Sequence, residues 1–260
     1  MRFHFRNFTV AVFALLALPP VGLYAQEGQD DAADSAYTPS WDYSDNGGTG
    51  FGGWNCGAVG GTFETTDSVA VGGDVAMNTA GRCFRLYAAS GQINPAYADA
   101  VRSMAGASST SDVLRIDLQM NCVGNNAFTK FTPRQNFSDI IDVVAAGSAP
   151  NLTIYDGGVV LNTGIPRNVP VRMMMSLAPA QRYNISFRVL IPPFNTISFT
   201  NRPTYPSPVF FRISDFFAKA GANHQFSGQS SQILLNNLVY DMNGDAGVQV
   251  PVVVSTVEMD

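Results

Sequence analysis

"DVLRIDLQMN", residues 112–121, is the clearest segment of the chain in which apolar and polar side chains alternate. One face would carry apolar side chains and the other polar ones: Leu114, Ile116, Leu118 and Met120 against Arg115, Asp117 and Gln119. Successive side chains of a β-strand point to opposite sides. The segment therefore predicts a strand with one face in a core and the other toward water or a polar groove.

The same texture continues on both sides of this segment, as short apolar runs separated by Gly, Asn, Pro and Ser. Residues 183–189 alternate in the same way, and "YDGG" at 155–158 predicts a tight hairpin because glycine tolerates positive φ. One helix is predicted, at 94–106, where Asn94 would cap and Pro95 would open the first turn. Many short strands with frequent turns predict an all-β fold, an antiparallel sandwich or barrel. With 46% apolar and 13% charged residues, the chain can bury a full core.

The two ends differ from this pattern. Residues 1–25 predict a cleaved export signal, with Arg2 and Arg6, the apolar run "FTVAVFALLAL", and "GLYA" before Gln26. The alternative, an uncleaved anchor, conflicts with an apolar run shorter than the roughly 20 residues of a span. Residues 26–40 are polar and acidic and predict a disordered spacer. Residues 41–241 then form one β-sandwich domain, and 242–260 a final strand or tail.

Charge and cysteine content limit the partners and the compartment. The chain has 15 basic and 20 acidic residues and only two lysines, Lys130 and Lys219, so it lacks the clustered cations that nucleic acid requires. No second apolar segment follows the signal, which predicts a mature chain without a transmembrane segment. Three cysteines would meet an oxidising compartment, and their spacing fits no zinc motif. Strand parity favours a disulfide between Cys56 and Cys122, leaving Cys83 over.

The glycine-rich stretch "DNGGTGFGGW" (45–54) contains the letters of a dinucleotide-binding loop, G-x-G-x-x-G. That motif needs a hydrophobic strand before it and a helix after it, and neither "WDYSD" nor "WNCGAVGG" fits. The glycines instead predict positive-φ turns at a sandwich edge, with Phe51 and Trp54 entering the core. Histidine-based nucleophilic catalysis has one candidate beyond the signal, His224 in a loop, and we expect a surface residue there.

Glycoside hydrolysis requires two carboxyl groups flanking the sugar linkage. Asp117 lies on a predicted outward strand face, and Asp139 and Asp142 form a nearby pair. Three residues apart on one strand, that pair would point to opposite sides, so solvated strand aspartates are the preferred interpretation. The glutamates outside the signal are few: Glu27, Glu64 and Glu258. We therefore predict no catalytic residues and no enzyme activity.

A structural calcium ion is the one cofactor that the sequence suggests. "DMNGDAG" (241–247) begins like a calcium loop, but Ala246 stands where glycine is required and Val252 where a bidentate acid is required. If the first and last strands pair, Asp42 and Asp45 approach Asp241; a plain polar turn is the alternative. Aromatic rings for sugar stacking are also available, with "NRPTYPSP" (201–208) as a candidate binding rim: Trp41, Trp54, Tyr87, Tyr155, Tyr183 and Tyr205.

Five segments occur in an order that resembles a group of bacterial exported proteins: "YSDNGGTGFGGW", "AGRCFRLYAASG", "DVLRIDLQMN", "NLTIYDGGVVLNTGIP" and "SSQILLNNLVY". They look like a poorly characterised concanavalin/laminin-G-like jelly-roll module over residues 41–241. The resemblance rests on turn glycines and strand ends, so it implies a fold and no ligand-binding residues. Such proteins often end in a sorting anchor, whereas "VQVPVVVSTVEMD" lacks an arginine-terminated apolar segment.

The resemblance implies a secreted, periplasmic or cell-surface protein of bacterial origin. By fold analogy, we expect a non-catalytic β-sandwich module that binds carbohydrate or another surface component. Two alternatives remain open from the sequence. One is a structural envelope or matrix protein without a small ligand, and the other is an extracellular polysaccharide-acting enzyme.

Overall fold

The computed structural model describes residues 27–90, 95–104, 112–206, 210, 212–222 and 228–241. The predicted export signal, His224 and residues 242–260 lie outside these ranges. The described strands are β1 Glu27–Asp30, β2 Phe51–Val59, β3 Gly61–Thr66, β4 Cys83–Ala89, β5 Ala96–Met104, β6 Val113–Val123, β7 Ala127–Gln135, β8 Ser138–Asp139, β9 Asp142–Ala146, β10 Asn151–Asp156, β11 Val159–Pro166, β12 Val171–Ala178, β13 Arg182–Val189, β14 Thr196–Pro203, β15 Asp215–Ala222 and β16 Ser230–Asp241. Single 3₁₀ turns occur at Ser35–Tyr37, Val69–Val71 and Val75–Met77.

The strands form two eight-stranded antiparallel sheets packed face to face. Sheet A has the order β14-β13-β12-β6-β16-β4-β3, with β1 also paired to β16. Sheet B has the order β11-β10-β9-β7-β15-β5-β2, with β8 also paired to β7. The predicted all-β, jelly-roll sandwich is therefore confirmed. Among the described residues, no helix has the length and apolarity needed to cross a bilayer.

The core lies between the sheets and follows the alternation predicted from residues 112–121. Leu114, Ile116 and Leu118 of β6 are fully buried toward sheet B. Opposite them, sheet B contributes mainly small side chains, because alanine occupies most of the inward positions of β5 and β15. Large rings fill one end, where Trp54 packs 5.1 Å from Phe84 and 5.7 Å from Phe216, measured between ring centroids. Each buried large apolar side chain contributes roughly 1.5–3 kcal/mol.

Residues 26–40 were expected to be a disordered spacer, and this prediction is wrong. β1 extends sheet A, with Glu27 opposite Asp241 and Asp30 opposite Leu238. The following turn buries Tyr37 completely in the core. The segment is polar, but its acidic groups have partners elsewhere in the chain, so the composition of the segment alone did not reveal its order.

The main partner of this segment is Arg102, whose side chain is fully buried on β5. Its Nη1 lies 2.9 Å from Oδ2 of the equally buried Asp30. The Tyr37 hydroxyl donates to Asp30 Oδ2 at 2.7 Å and accepts from Arg102 Nη1 at 2.7 Å and Trp54 Nε1 at 3.1 Å. Arg102 Nη2 donates to the Gly47 carbonyl at 2.7 Å. Because buried polar groups need such partners, this network links Asp30 of sheet A and the following turn to Arg102 of sheet B.

The predicted helix at 94–106 is also wrong, because Ala96–Met104 is strand β5. Ala96, Ala98 and Ala100 face the core while the residues between them face outward. Alanine favours helices in isolation. Here pairing with β2 on one side and β15 on the other outweighs that local preference.

The three cysteines are buried free thiols, so the predicted Cys56–Cys122 disulfide is not formed. Cys122 Sγ donates to the Ala145 carbonyl on β9 at 3.0 Å. Cys56 lies on β2, which is four strands from β9 in sheet B. Four strand spacings of about 4.8 Å therefore separate Cys56 from the strand that Cys122 contacts. A disulfide requires the two Cα atoms to lie within roughly 7 Å of each other.

Candidate functional site

The outer face of sheet A is partly closed by the loop that follows β3. Met77 and Val71 of this loop pack on Leu234 and Cys83. The backbone NH of Asp74 also donates to Gln119 Oε1 of β6, at 2.8 Å. The polar side of β6, predicted to face water or a groove, is therefore covered at Gln119.

Asp117, the candidate acid that the alternation of β6 placed on an outward face, is buried and fully engaged on this same side of sheet A. Its two carboxylate oxygens accept from Arg172 Nε at 2.8 Å and Nη2 at 2.9 Å. Asn237 Nδ2 donates to Oδ2 as well, at 2.8 Å. The expectation of a solvated aspartate was wrong, and the bidentate pair leaves the carboxylate in a structural role.

The outer face of sheet B mixes aromatic and charged side chains, which are partly exposed at Tyr97, Asp99 and Lys219 and buried at Thr132 and Arg134. We call it the sheet-B outer face, formed by the outward side chains of β5, β15, β7 and β9. Across it, Lys219 lies opposite Asp99 on one side and Lys130 on the other. In the next row, Phe217 lies between Val101 and Thr132. These residues share one surface because they occupy matching positions in the β ladder.

Lys130 brings together the two aspartates that were expected to diverge. Its Nζ lies 3.2 Å from Asp139 Oδ2 and 3.0 Å from Asp142 Oδ1. The prediction assumed one continuous strand, whereas Asp139 ends β8 and Asp142 begins β9. Asp142 is further held by Thr132 Oγ1 at 2.6 Å and by the Tyr205 hydroxyl at 3.2 Å.

A second ion pair occupies the neighbouring end of the face. Arg134 Nε donates to Asp215 Oδ1 at 2.7 Å. The Arg134 guanidinium also lies 5.2 Å from the centre of the Phe217 ring and 5.4 Å from that of Phe137. Both cations at this end, Lys130 and Arg134, therefore have carboxylate partners.

At the opposite end of the face, two aromatic rings flank a glycine. Gly221 lies directly between Tyr97 and Phe128 in the strand register. A Cβ at Gly221 would lie 2.6 Å from Cε1 of Phe128, so only glycine lets that ring lie across the strand. The result is a depression of about 400 Å³, lined by Pro95, Tyr97, Asn126, Phe128, Lys219 and Gly221, which we call the Tyr97–Phe128 trough.

Lys219 contributes the positive charge of the trough. Its Nζ lies 4.5 Å from the centre of the Tyr97 ring, a cation–π distance. Within the described part of the chain, no carboxylate oxygen lies within 4.0 Å of this Nζ. Asp99, directly opposite on β5, places Oδ1 3.0 Å from the position of a Cβ on Gly57 of β2. Partial burial raises the pKa of Asp99, and the charge of Lys219 opposes that shift.

The calcium candidates are not brought together in this structure. Asp42 and Asp45 are neighbours in a turn, where the Asp42 NH donates to Asp45 Oδ2 at 2.7 Å. Asp241 is buried at the end of β16, opposite Glu27 and Val113. Over the residues that the structure describes, no three acidic, histidine or cysteine side chains form a group suited to a metal ion.

The aromatic candidates divide between core and surface. Trp41, Trp54 and Tyr183 are at most 1% exposed and belong to the core, whereas Tyr155 is 37% exposed. The rings of the trough, Tyr97 and Phe128, were not among the candidates. The helix prediction concealed Tyr97, although the alternation "AYADA" would have placed it beside Asp99 on an outward face.

Comparison with known proteins supports the fold and does not identify a function. No family model and no curated protein matches the chain. Among solved structures, a sialidase matches at a TM-score of 0.53 with 13% identity, over 84% of this chain and 19% of the sialidase. Arcelin-5, a lectin-like defense protein from Phaseolus vulgaris, matches at a TM-score of 0.46 with 8% identity, over 84% of this chain and 100% of arcelin-5. A Bacillus licheniformis β-glucanase matches at a TM-score of 0.42 with 13% identity, over 78% of this chain and 97% of the glucanase.

The chain thus spans about a fifth of the length of the sialidase it matches. At such identities the likeness is one of fold, and similar folds carry unrelated activities.

Proposed function

We propose that this protein is a non-catalytic β-sandwich module that binds carbohydrate through the Tyr97–Phe128 trough. The observation that carries the proposal is the pair of rings that flank Gly221 and line a depression on the outer face of sheet B. The flat apolar face of an aromatic ring fits the apolar face of a pyranose. A depression of about 400 Å³ also lies within the range of about 300–1,000 Å³ found for ligand pockets.

Polar groups beside the rings would fix the orientation of the sugar. Lys219 Nζ and the Asn126 side chain line the trough and can donate hydrogen bonds to sugar oxygens. Apolar contact area combined with a few placed polar groups is typical of small-ligand sites.

The proposal is for binding without turnover because the acids of this face are already engaged. Asp139 and Asp142 contact Lys130, and Asp215 contacts Arg134. Glycoside hydrolysis needs two carboxyls with different protonation states on either side of the bond. Among the described acids of the face, Asp99 is the one without an ion pair, and a single acid does not meet that requirement.

The proposed setting is extracellular, periplasmic or at a bacterial cell surface, with a polysaccharide or another surface component as partner. This follows from the expected export signal at residues 1–25 and from the resemblance of residues 41–241 to exported modules.

A glycan array probed with the purified protein tests the proposal, together with a screen for sugar release from the polysaccharides that bind. We expect binding without release, and we expect Phe128→Ala to reduce binding about tenfold, because losing roughly 1.5 kcal/mol of apolar contact with the ring corresponds to about that factor. Tyr43→Ala is the matched control, since Tyr43 is 63% exposed and lies outside the trough.

Each other outcome contradicts part of the proposal. No binding to any glycan would refute it and favour a structural envelope role. Sugar release that persists in repeated purifications would refute the non-catalytic part. Equal loss of binding in Tyr43→Ala and Phe128→Ala would refute the trough as the site.

A further inference from the structure

The charges of the sheet-B outer face are distributed unevenly. Lys130 has two carboxylate partners and Arg134 has one. Lys219 has none within 4.0 Å among the described residues, although Asp99 is its direct cross-strand neighbour. The face therefore holds one cation that is not neutralised by direct contact.

The two members of this cross-strand pair lean away from each other. Lys219 lies against the ring of Tyr97, which is two residues from Asp99 on β5, with Nζ 4.5 Å from the ring centre. The Asp99 carboxylate lies over Gly57 of β2, on the other side of β5. Lys219 is thus held at the trough by its contact with a ring, and its ammonium group remains able to donate to a ligand.

We propose that the trough binds an anionic glycan, whose carboxylate or sulfate group pairs with Lys219 Nζ while a sugar ring packs on Phe128. This inference rests on the proposed carbohydrate binding and specifies its ligand class. A charge-assisted hydrogen bond is about twice as strong as a neutral one, so the acid group adds both affinity and selectivity. The ammonium group already lies against the Tyr97 ring, which limits the conformational freedom lost on binding.

Because the trough offers a single unpaired cation among the described residues, the electrostatic contribution to binding should be small. The chain carries a net charge of −5, so no general attraction for a polyanion assists binding. We therefore expect a shallow dependence on salt, characteristic of about one ion pair, in contrast to the steep dependence of proteins that contact many charges.

The test uses matched pairs of polymers, each with and without its acid group. Polygalacturonate is compared with its carboxyl-reduced form, and dextran sulfate with dextran, by calorimetry or affinity electrophoresis. The wild-type protein should bind at least one acidic polymer about tenfold more tightly than its neutral counterpart. Preference for the carboxylate or the sulfate pair then identifies the acid group.

Two lysine variants assign the preference to one residue. Lys219→Met should remove the preference, because it should lower affinity for the acidic polymer about tenfold more than affinity for the neutral one. Lys130→Met is the matched control and should leave the preference intact, because that charge is already paired. Circular dichroism and Tm should not change in Lys219→Met, which breaks no ion pair among the described residues.

The outcomes separate this inference from the proposed function. Equal binding of acidic and neutral polymers, lost in Phe128→Ala, would refute the acidic ligand and leave carbohydrate binding standing. Loss of the preference in Lys130→Met to the same degree as in Lys219→Met would refute the role of Lys219. Failure of the wild-type protein to bind any of the four polymers or any arrayed glycan would refute both.

Discussion

Replacing Arg102 with methionine tests whether one buried ion pair holds residues 27–54 in the sandwich. Methionine keeps most of the apolar stem and removes the guanidinium, which contacts Asp30, Tyr37 and the Gly47 carbonyl. The Asp30 carboxylate is fully buried, so it would remain in the core without its cation. Burial raises the pKa of Asp30 to about 7 even beside Arg102. Breaking a buried pair from one side costs about 3–5 kcal/mol, because the carboxyl group left behind must stay buried as an unpaired charge or take up a proton. For a domain of this size, that loss lowers Tm by about 10 °C.

Urea unfolding followed by tryptophan fluorescence measures the effect directly. Trp41 and Trp54 are both buried, and Trp54 belongs to the network, so their emission reports its loss. The double variant Asp30→Asn with Arg102→Met should recover part of the stability, because it removes the uncompensated charge. Arg188→Met, at an exposed position of β13, is the control and should change the free energy of unfolding by less than about 0.5 kcal/mol.

Two results would refute this reasoning. A loss below about 1 kcal/mol in Arg102→Met would mean that the pair does not hold the segment. A double variant as unstable as Arg102→Met alone would show that the cost does not come from the unpaired carboxylate.

Three further predictions concern the rest of the molecule. Burial raises the pKa of the Cys56 and Cys83 thiols to about 12 and that of Cys122 to about 11, so little thiolate is present at pH 8. The native protein should therefore resist a thiol reagent at pH 8 until urea unfolds it, and rapid labelling of the native protein would contradict this. Leu118→Ala should cost about 2–5 kcal/mol in urea unfolding, while Val123→Ala on the same strand, at a half-exposed position, should cost under about 1 kcal/mol; equal losses would argue against the assigned core face. Asp117→Asn should weaken the pair with Arg172 and cost about 1–3 kcal/mol in the same assay, with no change in glycan binding; altered binding would move the site to sheet A.

Much of the fold was predictable because it depends on local alternation. Residues 112–121 form β6 with the predicted face inward, and Phe51 and Trp54 enter the core as expected. The helix prediction for residues 94–106 was wrong because alanine favours helices locally. Pairing with the neighbouring strands makes the β conformation of β5 the better one.

The site was less predictable because exposure is a property of the whole sandwich. The sequence offered many aromatic residues without indicating which sheet face a loop would cover. Asp117 is not exposed as expected, because Arg172 and Asn237, which are distant in the chain, donate hydrogen bonds to its carboxylate. Asp139 and Asp142 converge on Lys130 because of a break between β8 and β9 that alternation alone did not reveal.

The pairing of β1 with β16 also determines how the sandwich would respond to mechanical force. Glu27 and Asp241 lie opposite each other, so tension applied between them would open the β1–β16 hydrogen bonds one after another, as in unzipping. The far end of β1 is Asp30, which is held by the buried Arg102. Peeling would therefore proceed at low force for a few residues and then stall at that ion pair, which would make Arg102 the principal mechanical clamp of this end of the domain.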